Sequence, residues 1–301
     1  MWLPYRIAFQ LAIVMVAVVL VFRRVKHPVL KAVVATAKEL AIVMFLYTIW
    51  QYVRSKAITR TAGAMENALR LWDLQQALHL PSEVALQRQF IDNRPFMWVM
   101  NVYYGGFHVP AAGALLIWLF FRHRDRYAGI RATFALTIAG CIAIQALVPM
   151  APPRFLPQLG FVDAGLKYDM SVYGRGGSGV SNELAAMPSL HVGWAVLVGI
   201  AVVAISTSKW RWLALLHTFL TIASITITAN HWWLDGVVAA MVLAVAYVVQ
   251  RAVRTGWAWA RSRYGNYPVQ FDEQDVPDYP DDLDGPDAAD VSVLDRPLSN
   301  A

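Results

Sequence analysis

Seven long apolar runs, separated by shorter polar segments, decide what this chain of 301 residues can fold into. They lie near Tyr5–Phe22, Val29–Val53, Phe96–Phe121, Ile130–Val148, Pro188–Ser206, Trp210–Thr228 and Trp232–Gln250. A helix needs about 20 mostly apolar residues to cross the hydrocarbon of a bilayer, and each run approaches or exceeds that length. Only 15% of the residues are charged, against about 25% in a soluble domain. The chain therefore reads as an all-α polytopic membrane helix bundle. Its first run is followed by Arg23-Arg24-Val25-Lys26, with no small-residue cleavage site after it. That pattern fits an uncleaved transmembrane anchor over 1–28 rather than a signal peptide. A bundle core over 29–251 and a tail over 252–301 complete the expected organisation.

The net charge of +6 conceals a division. From Phe271 onward there are ten acidic residues against Arg296 alone, and such a tail should be disordered. Of the remaining 25 basic residues, many cluster between the apolar runs. Arg23, Arg24 and Lys26 follow the first run; Arg122, Arg124, Arg126 and Arg131 separate the third and fourth. Lys209 and Arg211 separate the fifth and sixth, and Arg251, Arg254, Arg261 and Arg263 follow the seventh. If all seven runs cross, these groups share one face, which the positive-inside rule makes cytoplasmic. The expected location is the plasma membrane, multi-pass, with the tail inside. Segments 54–95 and 150–187 and the turn at Asn230-His231 then lie outside. The basic residues form no stripe suited to nucleic acid, and no such partner is expected. Cys141, the single cysteine, sits in an apolar run and reads as a small core residue.

Two of the outer segments have patterns of their own. In 54–95, Met65, Leu69, Trp72 and Gln76, with Ala68 and Leu71 beside them, have helical spacing. They suggest an amphipathic helix that either lies on the bilayer or caps the bundle. In 150–187, the run Gly174-Arg175-Gly176-Gly177-Ser178-Gly179 suggests a mobile lid.

The chemistry gathers at three places on that outer face. Ionisable side chains beside hydrocarbon are costly and mark functional sites. His231 and Asp235 are four residues apart and share a face of a helix. The carboxylate can hold one ring nitrogen and leave the other to attack, as a histidine nucleophile requires. In Pro188-Ser189-Leu190-His191, proline is expected at the first helical position. The helix start then favours an anion, Ser189 adds a donor, and His191 can protonate a leaving oxygen. Pro152-Pro153-Arg154 leaves the fourth run on a non-helical path, and the guanidinium can clamp a phosphate. His108 follows paired glycines in the outer half of the third run and can face the same cavity. His217, mid-run, reads as a packed core residue. Two rival readings stay open: a metal site on His191, His231 and Asp235, which are acceptable zinc ligands, and a non-catalytic transporter or scaffold.

These blocks resemble a known family. Ala186-Met187-Pro188-Ser189-Leu190-His191 and Thr228-Ala229-Asn230-His231-Trp232-Trp233-Leu234-Asp235 are similar to the second and third signature blocks of the type 2 phosphatidic acid phosphatase superfamily. Pro152-Pro153-Arg154 stands for the first block. It and the leucine between Ser189 and His191 look most like the branch of fungal inositol phosphorylceramide synthase and its bacterial relatives. Asn101 to His108 and Glu66-Asn67-Ala68 share that likeness, which covers roughly Glu66 to Val248. The resemblance implies a six-helix core plus one additional N-terminal span. It implies His231 as nucleophile, Asp235 as its partner, His191 as the acid, Arg154 and Ser189 on the phosphate, and no metal or other cofactor. Asn230 and His108 complete the expected substrate-binding set. The substrate would be a lipid phosphate ester, with water, a polyol or a lipid alcohol as acceptor. Two of the superfamily's phosphate-binding cations are replaced by Leu147 and Ile225, and Lys167 or Arg175 could substitute for them.

Overall fold

The computed structural model describes residues 4–24, 27–57, 62–169 and 183–264. Among the described residues there are eleven α-helices and no strand, so the chain is an all-α membrane helix bundle. The helices are α1 (Tyr5–Phe22), α2 (Pro28–Ala57), α3 (Ala64–Ala77), α4 (Glu83–Phe90), α5 (Arg94–Gly106) and α6 (His108–Arg122). They continue as α7 (Arg124–Leu147), α8 (Ala164–Tyr168), α9 (Leu190–Ile205), α10 (Leu213–Ile227) and α11 (Trp233–Tyr264). The chain divides into two compact units, Met1–Arg254 and Thr255–Ala301.

All seven apolar runs are helical, but their lengths differ from expectation. Among the described residues, four segments are long and apolar enough to cross a membrane: Tyr5–Phe22, Arg124–Leu147, Lys209–Ile227 and Trp233–Arg263. The third run is not one helix but the pair α5 and α6, bent by 45°. Pro110 explains the break: it has no N–H for the carbonyl of Gly106, and its ring would clash there. The fifth run yields only α9, an apolar helix of 16 residues, about 24 Å long. Its start is set by Ser189, which is the N-cap and not an internal residue; Ser189 Oγ accepts from Val192 N at 3.5 Å. Pro188 therefore precedes the cap instead of occupying the first helical position, and its carbonyl accepts from Gln145 Nε2 at 2.9 Å.

Segment 62–93 forms a helical hairpin that covers one end of the bundle. α4 starts at Ser82, whose hydroxyl accepts from Ala85 N at 3.2 Å, and α5 starts at Asn93, whose Oδ1 accepts from Phe96 N at 3.1 Å. One face of the amphipathic stretch packs on the bundle, and its other face presents apolar side chains outward. Ala64, Ala68, Leu71 and Gln75 are buried, while Met65 and Leu69 face outward. The buried stripe is thus shifted by one position from the expected one. It joins Val84, Met150, Ala151, Leu156, Phe161, Ala186 and Ala229 in a core centred on the fully buried Trp232. The ring of Trp232 lies 6.2 Å from that of Trp72 and 5.6 Å from that of Phe161, and its Nε1 donates to Ala151 O at 2.9 Å. This apolar plug fixes three separate stretches of chain, around residues 151, 186 and 231, against one another.

Candidate active site

Asp235 is fully buried in the first turn of α11, while His231 sits in the turn just before that helix. The expected one-face helical pair is thus a turn-and-helix pair, with the contact preserved. His231 Nδ1 is 3.2 Å from Asp235 Oδ2 and 2.8 Å from the carbonyl oxygen of Ala186. A carbonyl can only accept, so Nδ1 carries the proton and donates to both oxygens. In the neutral ring Nε2 is then left with the lone pair. Asp235 Oδ2 also accepts from Trp232 N at 2.9 Å, and the Asp235 carbonyl accepts from Ser189 N at 3.1 Å. That last bond ties the start of α9 to the start of α11.

Three imidazoles line up beside this pair. The His191 ring is 5.4 Å from that of His231 and 4.2 Å from that of His108, edge to face in the latter case. Tyr104 packs along the row, 4.6 Å from His191 and 6.3 Å from His231. The residues reach the row from α5, α6, α9 and the turn before α11. On α5, Met97, Asn101 and Tyr104 are buried, and His108 continues that stripe across the bend.

Arg154 closes the site from the segment after α7. It lies in a 3₁₀ turn, Pro153–Phe155, where Arg154 N donates to Ala229 O at 2.9 Å. Its guanidinium donates through Nη1 to Asn230 Oδ1 and through Nη2 to Glu183 Oε2 at 2.8 Å, and its Nε is 3.5 Å from Asp163 Oδ2. Asn230 is oriented in turn by Thr228, whose Oγ1 accepts from Asn230 Nδ2 at 2.7 Å. The guanidinium thus lies against the residue preceding His231. Two carboxylates, Glu183 and Asp163, face it.

The expected site residues therefore fall into one connected set. His108, His191, His231 and Asp235 form one row, and Arg154 and Asn230 flank its end. Ser189 adjoins through its backbone, its hydroxyl fully buried at the α9 cap. His217, expected as a packed core residue, is half-buried, with its Nδ1 2.6 Å from Tyr103 Oη. Lys167 is bonded to Asp92 at 2.6 Å, which raises its ammonium above the ordinary value, and it does not touch the row. Arg175 and the glycine-rich stretch lie outside the described residues. Among the described residues, no group of three or more His, Cys, Asp or Glu is placed to hold a metal ion.

Tyr104, Asp163 and Glu183 join this set without having been marked by the sequence. Tyr104 was within reach, since Asn101, Tyr104 and His108 are spaced three and four residues apart. Asp163 and Glu183 lie in an irregular segment where no period signals burial.

A family model described as the PAP2 superfamily matches residues 69–249. No curated protein and no solved structure matches the chain.

Proposed function

The chain belongs to the PAP2 superfamily, and from that membership we propose that it is a membrane-embedded lipid phosphatase or phosphotransferase working through a phosphohistidine. The observation that carries this reading is the His231 ring, held at Nδ1 by a carbonyl and a carboxylate so that Nε2 is the free nucleophile. In the first step Nε2 forms a bond to phosphorus, and the bond from phosphorus to the lipid oxygen breaks. His191, protonated, gives its proton to that leaving oxygen. Asp235 stabilises the positive charge that develops on the His231 ring. Arg154 and Asn230 hold the non-bridging oxygens. In the second step water or an alcohol hydroxyl loses its proton to His191 and attacks phosphorus, and the P–N bond breaks.

The finer assignments belong to the same proposal. The likeness to the inositol phosphorylceramide synthase branch supports transfer to a polyol or lipid alcohol beside hydrolysis. The four basic groups support a catalytic face outside the cytoplasm, a plasma-membrane location and a cytoplasmic tail. We assign 1–28 as an anchor, 29–251 as the catalytic core and 252–301 as the tail. No step needs a metal ion.

The test is to offer the purified protein a panel of phospholipids in the presence and absence of inositol or other polyols, following free phosphate and new phosphodiester. Wild type should turn over at least one lipid, in chelator as in buffer. His231→Ala should lose at least about 10³-fold in kcat, and His191→Ala about 10²- to 10⁴-fold, as loss of a general acid does. An acid-labile, base-stable phosphoryl label on wild type, missing from His231→Ala, identifies the intermediate. Full activity in His231→Ala would sink the reading.

A further inference from the structure

The first two backbone donors of α11 are satisfied from outside their own segment. The first N–H groups of a helix have no partner within it, and a serine or aspartate just ahead usually supplies one. Here Trp233 N donates to Glu83 Oε1 at 2.7 Å, and Leu234 N donates to Gln75 Oε1 at 3.2 Å. Gln75 Nε2 in turn donates to both oxygens of Glu83, at 3.1 and 3.0 Å. Glu83 and Gln75 are each 1% exposed. The helix start that carries Asp235, two residues after the nucleophile, is thus capped by side chains more than 140 residues earlier in the sequence.

One turn further along α4, on the same face as Glu83, Gln87 grips the other side of the site. Its Nε2 donates to Val162 O at 2.8 Å, and its Oε1 accepts from Val162 N at 2.9 Å. The next residue, Asp163, reaches Arg154 Nε at 3.5 Å. A single face of a short helix therefore holds both the turn of His231 and the segment that meets the guanidinium. Placing a carboxylate in such a buried position is unfavourable, and buried ionisable groups of this kind cluster at functional sites.

We infer that Gln75, Glu83 and Gln87 form a positioning clamp that sets the His231 turn and the Arg154 segment in register for attack on phosphorus. The inference rests on the phosphoryl-transfer reading for its consequence, though not for its geometry. None of the three touches substrate; they act through Trp233, Leu234 and Val162. Misplacement of reacting groups by about 1 Å can lower a rate about 10²-fold, so the clamp should act on kcat. Of the groups acting on Glu83, the charged one is Asp235 on α11, and Gln75 on α3 is neutral. Burial pushes the Glu83 carboxyl up to about 7, so its ionisation falls where the activity profile can register it.

Two measurements decide the matter. Hydrogen–deuterium exchange of the full-length protein in detergent should show at least tenfold faster exchange at Trp233 and Leu234 in Glu83→Ala. Gln75→Ala should show it at Leu234, with α9 unchanged in both. Steady-state turnover should show kcat lowered at least tenfold by Glu83→Ala and Gln87→Ala, with KM within about twofold. Glu83→Gln should recover at least half of kcat and lose the inflection near pH 7. Unchanged exchange in Glu83→Ala and Gln75→Ala overturns the clamp, as does a change in KM alone. If Glu83→Ala does not fold, Gln75→Ala and Gln87→Ala carry the same test. A wild type without turnover on any lipid refutes the phosphoryl-transfer reading, and the exchange data still judge the clamp.

Discussion

Glu83 and Asp235 are two buried carboxylates on opposite sides of one helix start, and they meet different demands. Asp235 accepts from an imidazole that can become cationic, so its charge has a use. Glu83 accepts only from neutral amides, those of Trp233 and Gln75. Burial thus dominates and lifts its carboxyl from 4.5 to about 7. The folded protein then retains a proton that the unfolded chain has already released between those values. Stability contributed by that proton is complete below pH 4.5 and is lost as pH rises through about 7. The expected change is about 3 kcal/mol, from 1.36 kcal/mol per pH unit. Thermal melts from pH 4.5 to 8 should show the wild type losing stability relative to Glu83→Gln by that order. Parallel curves would contradict it. The sequence exposes His231, His191 and Asp235 because each is an ionisable group at the edge of an apolar run. Glu83 and Gln75 escape it because they sit in a mixed-charge stretch where nothing marks a glutamate as buried.

At the level of single elements, hydropathy locates the helices of the seven apolar runs, though not α4 or α8, and local chemistry sets where each begins and ends. Pro110 divides the third run, and the Ser189 cap shortens the fifth. The α3 stripe is misplaced by one position because small residues, Ala64 and Ala68, allow the close approach, and the bulkier Met65 and Leu69 turn away. Small residues matter equally where α9 meets α10. A methyl on Gly199 would lie 2.6 Å from Thr218 Oγ1 and 3.3 Å from Leu215 Cδ2. Thr218 already donates to Ala195 O at 2.8 Å. Gly199→Ala should therefore force the two helices apart or break that bond, costing about 1–3 kcal/mol. Melting should fall by about 2–4 °C per kcal/mol for a protein of this size, with kcat little changed. An unaltered melting temperature would show the contact to be slack.

The whole chain was legible as an all-α membrane bundle because charge and hydropathy act on long stretches and tolerate local errors. That Arg154 meets the turn of Asn230 and His231 was legible from the three blocks; its direct bond to Asn230 was not, because that depends on how an irregular segment folds back over 76 positions. The proposed orientation makes a separate prediction. Single cysteines placed at Leu78 or Leu166, both exposed, in a Cys141→Ala background should react with a membrane-impermeant maleimide in intact cells. A cysteine at Trp210, 67% exposed, should react only after the cells are opened. The reverse pattern would invert the proposed sidedness.

α9 has a further consequence for how a lipid meets these side chains. Its 16 residues rise about 24 Å, whereas the hydrocarbon layer is about 30 Å thick. If α9 crosses that layer, the shortfall of about 6 Å leaves a dimple, into which water and head groups sink. Should the dimple open at the Ser189 end, a phosphate ester meets the imidazoles by settling downward while its acyl tails stay among their neighbours.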